Sequence, residues 1–148
     1  MSFLEVLFIL SCLCAMPMCI KLYFLENILY KNETMITCVT QTIIGMMSDT
    51  YNLYYNNRFS KVMLYIDRFH VSCISFPVIF VVSYSNNAVI QISPLIIAIL
   101  FWINQHILFR ININVKNLSI KKLQMWNHIL WHTFMSIGCY QTACTLNH

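Results

Sequence analysis

The chain has 148 residues, of which 59% are hydrophobic and only 9% charged, with a formal net charge of +4. Soluble domains carry roughly 25% charged residues, so this composition excludes an ordinary water-soluble fold. The basic residues lie between apolar runs instead of along one face, which removes nucleic acid as a partner, and with two glycines there is no Gly-rich phosphate loop.

Five apolar stretches of about 20 residues are each long enough to cross a bilayer as a helix. They run approximately over 3–22, 34–55, 62–84, 89–109 and 123–146. The first has small residues after an apolar core, as a cleaved signal peptide would, but no basic region precedes it and Glu5 is its only early charge;. A retained helix is expected. The second and fifth are the weakest spans, because each carries several polar residues. Links between the stretches are short, and neither a domain boundary nor a repeat interrupts them. The expected fold is therefore all-α, a polytopic transmembrane helical bundle of about five spans forming one unit over 1–148.

Basic residues set the orientation. Arg58, Lys61, Arg110, Lys116, Lys121 and Lys122 fall in the loops on the N-terminal side, against Lys21 and Lys31 on the other. The N-terminus is expected in the cytosol and the C-terminus in a lumen or outside the cell. Asn117-Leu-Ser119 is a glycosylation sequon on the inner side and should stay unmodified, while Asn32-Glu-Thr34 lies on the outer side close to the membrane;. Seven cysteines form no CxxC pair and mostly sit inside apolar runs, where they read as small packing residues;.

Polar groups inside such spans are costly and each needs an account. Ser48, Asp49 and Asn52 lie near the end of the second stretch, Asp67, Arg68 and His70 near the start of the third, and His128 and His132 near the start of the fifth. The two histidines are spaced i, i+4 and project from one helix face. At about 1.5 Å per residue, all these groups share one membrane level. A carboxylate, a hydroxyl and two imidazoles at one depth could bind zinc and a water, with Asp67 accepting the water's proton. The alternative is that the histidines satisfy each other and nearby helices by hydrogen bonds. Asp49 and Arg68 are expected to pair as neighbouring opposite charges. His106 reads as an interfacial anchor, and Trp102, Trp126 and Trp131 as belt or packing residues.

The sequence Ser48-Asp-Thr-Tyr-Asn52, followed by Ile66-Asp67 and by His128-x-x-x-His132, resembles the CREST superfamily of seven-helix membrane proteins. That group includes the alkaline ceramidase, haemolysin III/adiponectin-receptor and myomaker-like branches. Pro17 and Glu33 are similar to features of the last of these. The resemblance implies catalytic roles for Ser48 and Asp67 and metal ligation by His128 and His132, in a zinc site that cleaves lipid amide bonds. Asn52 stands at the position of the superfamily's third histidine ligand, for which His70 is a substitute, and five stretches stand in place of seven helices. Three readings follow. The first is a divergent, non-catalytic protein working through membrane lipids, other membrane proteins or self-association. The second is a zinc-dependent lipid amidase, and the third a small viral-type membrane or pore protein.

Overall fold

The computed structural model describes residues 2–55, 58–115 and 118–146, with the side chains at 109, 110 and 112–115 excepted. Arg110, Lys116 and Asn117, which carry part of the charge asymmetry and the inner sequon, therefore lie outside the described side chains. The described residues are helical throughout apart from their connections. Five helices run in succession: α1 (Phe3–Phe24), α2 (Lys31–Tyr54), α3 (Arg58–Ser85), α4 (Ile92–Val115) and α5 (Leu118–Cys144). Each overlaps one expected stretch. Among the described residues, α1 and α3 are long and apolar enough to cross a membrane, and α4 contributes the apolar segment Ile92–Leu108. The polar residues of α2 and α5 keep those helices below the same test.

The helix ends follow local chemistry. Ser2 caps α1 in a capping box, its side chain accepting from Glu5 N while Glu5 reaches back to Ser2 N;. The Lys31 ammonium donates to the carbonyls of Tyr23 and Leu25, satisfying backbone acceptors at the end of α1;. After α3, Asn87 takes a left-handed conformation (φ 53°). Asn87 N then donates to Tyr84 O and Ala88 N to Ser83 O, the bond pair of a Schellman motif;. Asn86 ties this turn to the α1–α2 turn, accepting from Leu29 N at 3.0 Å and donating to Leu29 O at 3.1 Å.

Two prolines distort the apolar helices close to buried polar side chains. Pro17 has no N–H to offer the carbonyl of Leu13, and Met16 N–H takes that carbonyl instead, within the tightened turn Ser11–Ala15;. Cys12 and Cys14 lie on this turn. Pro77 likewise cannot continue the ladder of α3. The preceding turn, Val71–Ser75, widens so that Phe76 N–H bonds Val71 O;. The widening brings Ser75 over His70.

Packing divides the bundle into two levels. Near the α1–α2 and α3–α4 turns, Met18, Leu22, Cys38, Val82, Cys139 and Ala143 form a dry apolar core. Farther along the helices, the interior is occupied by Ser48, Asp49, His128 and His132. The two glycines sit at helix crossings. A Cβ on Gly45 would lie 3.0 Å from Cys12 Sγ, and one on Gly138 would lie 2.9 Å from Leu95 Cδ2. They allow α1 to approach α2 and α4 to approach α5. Among the described elements, α4 packs only on α5, so a cleft opens between α3 and α4.

Candidate functional site

Buried polar side chains converge from three helices. On α5, His128 and His132 turn their Nε2 atoms to one point, 3.0 Å apart. The spacing of four residues places them one turn apart on the buried face, as expected. From α2, Asp49 brings Oδ2 to 2.8 Å from His128 Nε2. From the tightened turn of α1, Cys12 Sγ donates to the same Asp49 oxygen at 3.0 Å. The ligating atoms of Cys12, Asp49, His128 and His132 all lie within 4.8 Å of one another, and all four residues are buried. This group could hold a metal ion.

A second layer orients the imidazoles. Gln105 on α4 places its amide Nε2 2.8 Å from His128 Nδ1, and Cys14 Sγ lies 3.0 Å from His132 Nδ1. Both rings thus have their outer nitrogens partnered and their Nε2 atoms directed inward, which fixes ring orientation. Phe8 packs on His128 with ring centroids 4.4 Å apart, and Trp131 on His132 at 4.2 Å. Asn127 is held by Asn104, whose amide donates to its Oδ1 at 2.7 Å.

The remaining sequence-selected residues occupy neighbouring but separate positions. Asp67 accepts from Gln41 Nε2 at 2.9 Å, and Gln41 Oε1 in turn meets His70 Nδ1 at 2.7 Å and the Ser75 hydroxyl at 3.1 Å. His70 therefore belongs to the Gln41–Asp67 network. Asn52 donates to the carbonyl of Ser48 at 2.9 Å, with its hydroxyl 3.4 Å away, so these two residues form a pair along α2. Asp67 and His128 share the walls of the cleft between α3 and α4, about 560 Å³ in volume, together with Arg68, Trp102, His106 and Trp131.

Two expectations change. Asp49 pairs with His128 and Cys12, not with Arg68, which instead lines the cleft beside Asp67. The cysteines also do not all act as packing residues. Cys19, Cys38 and Cys139 pack in the apolar core, whereas Cys12 bonds Asp49 and Cys14 meets His132. Sequence reasoning passed over Cys12 because an isolated cysteine in an apolar run usually packs. Its depth is the signal that marks it: Cys12 lies about 13 Å along α1 at 1.5 Å per residue, within reach of the level of the other groups.

No protein-family model, characterised protein or solved structure matches this chain, and its residues and their geometry alone bear on its function.

Proposed function

We propose that this chain is a multi-pass integral membrane protein, a divergent CREST-type protein that acts without catalysis through lipids or other membrane proteins. Its N-terminus lies in the cytosol and its C-terminus in a lumen or outside the cell. The observation that carries the reading is the inverted distribution of polarity. Large apolar side chains face outward along every helix, among them Ile20, Ile43, Phe80, Leu100 and Ile137, while Thr34, Ser48, Asp49, Asn127, His128 and His132 are buried. Only 22% of the most apolar window of either α1 or α3 is buried, far less than the core helix of a soluble protein requires;. An exterior of this kind matches hydrocarbon, and the polar groups find partners inside. Zinc is the metal proposed for His128 and His132.

Alkaline carbonate washing of membranes from cells expressing the full chain tests this reading. The protein should stay in the pellet and require detergent for release. Recovery in the wash supernatant would overturn the proposal.

A zinc-dependent lipid amidase is the second reading, favoured by one feature: Asp67 and His128 face the same cleft, open to the side between α3 and α4. Against it stands the mutual pairing of Ser48 and Asn52. Zinc-loaded protein incubated with a fluorescent ceramide separates the two. The non-catalytic reading expects no release of fatty acid, and release abolished by Asp67→Asn would establish the amidase.

A further inference from the structure

We propose that Cys12, Asp49, His128 and His132 form a closed, four-ligand structural zinc site that fastens α1 to α2 and α5. Two of these ligands, Cys12 and Asp49, lie outside the residues that the family resemblance selects. The inference rests on the zinc of the preceding reading, and adds its complete shell and its role.

The four ligating atoms come from three helices and converge within 4.8 Å. Tetrahedral zinc with bonds of 2.0 to 2.3 Å requires ligand atoms roughly 3.3 to 3.7 Å apart. The contacts along the cluster are 3.0, 2.8 and 3.0 Å and the remaining pairs lie within 4.8 Å, so the consecutive atoms must part slightly and the outer ones draw in to admit the ion. Protons serve this cluster poorly. Asp49 Oδ2 can accept from Cys12 and His128 together, but a single hydrogen on His128 Nε2 would have to serve both Asp49 Oδ2 and His132 Nε2;. One cation at the centre satisfies all four groups together.

The ligand types favour zinc. Thiolate, carboxylate and imidazole together suit a four-coordinate zinc better than magnesium or calcium, which take oxygen ligands. The charges also balance. One thiolate and one carboxylate supply two negative charges, two imidazoles are neutral, and a divalent ion makes the buried assembly neutral, as an apolar interior demands. Binding releases the Cys12 thiol proton, and any proton on the two Nε2 atoms, to solvent. Outside the shell, Gln105 and Cys14 hold the Nδ1 atoms; Gln105 faces the ring with its amide Nε2, and metal binding at His128 Nε2 calls for that amide to turn over so that Oε1 accepts from Nδ1–H. Four protein ligands leave no position for a water nucleophile. The ion therefore joins helices and does not hydrolyse.

The test uses the full chain in detergent with zinc or cobalt(II) as the only added ligand. One zinc per chain should survive dialysis. The cobalt form should show tetrahedral visible bands and a thiolate-to-cobalt charge-transfer band in the near ultraviolet. Cys14→Ser should keep that band and Cys12→Ser should lose it, while Gln105→Leu should weaken zinc binding about 10- to 100-fold. Azide should leave the wild-type cobalt spectrum unchanged, because no coordination position is open. Absence of metal, a charge-transfer band lost in Cys14→Ser, or a spectral response to azide would each overturn the closed site. If Cys12→Ser does not fold, the Cys14→Ser and azide measurements decide. A metal-free chain that resists carbonate extraction refutes this inference alone, whereas extraction refutes the membrane reading.

Discussion

At the residue scale, Asp49 organises the interior. Its Oδ2 meets both the imidazole of His128 and the thiol of Cys12, and all three residues are buried. Removing a buried partner leaves the other groups desolvated and unpaired, which costs about 1 to 3 kcal/mol. Asp49→Ala should therefore lower the unfolding free energy in detergent by an amount in that range. Arg68→Ala should cost less, since Arg68 lines an open cleft. Equal losses in the two variants would restore the Asp49–Arg68 pairing that sequence neighbourhood suggests. The i, i+4 spacing made the shared face of His128 and His132 legible, because it depends only on helix geometry. The partners of Asp49 were not legible. Arg68, Cys12 and His128 were all available at compatible depth, and the rotation of each helix about its axis chose among them.

At the element scale, two glycines and two prolines do most of the positioning. A Cβ at Gly138 would come within 2.9 Å of Leu95 Cδ2 and 3.1 Å of its Cγ. Gly138→Ala should separate α4 from α5 and destabilise the hairpin by about 1 to 3 kcal/mol, the usual cost of overpacking. Unchanged thermal stability would show that the crossing is looser than described. Gly45→Ala acts elsewhere. Its Cβ would press on Cys12 Sγ at 3.0 Å, so it should weaken zinc retention measured by dialysis, while the conservative Cys139→Ala should not. The prolines in α1 and α3 are visible in the sequence as breaks in the hydrogen-bond ladder. Which adjustment each one forces is a property of the surrounding packing: a tightened turn before Pro17 and a widened one before Pro77.

At the scale of the whole molecule, the bundle is closed around its polar interior on the α1–α2–α5 side and open between α3 and α4. If zinc joins α1, α2 and α5, chelation by a strong membrane-permeant ligand should lower the melting temperature and expose α1 to protease before the α4–α5 hairpin. Simultaneous cleavage of both regions would argue against that unequal fastening. The orientation has its own check. In microsomes, Asn117 should remain unglycosylated, because it lies on the proposed cytosolic side; its modification would invert the proposed topology.

Sequence alone determined the helical character and the approximate extent of the five segments, because apolar run length and helix periodicity are local properties. It also marked the buried polar residues as the informative ones, since each is costly in an apolar setting. Only the tertiary structure decided that Cys12 joins Asp49 and the two histidines and that Asp67 belongs to Gln41. Those contacts depend on helix rotation, on the close approaches allowed by Gly45 and Gly138, and on the turns before Pro17 and Pro77. Each is a non-local outcome of packing, which spacing along a single helix does not encode.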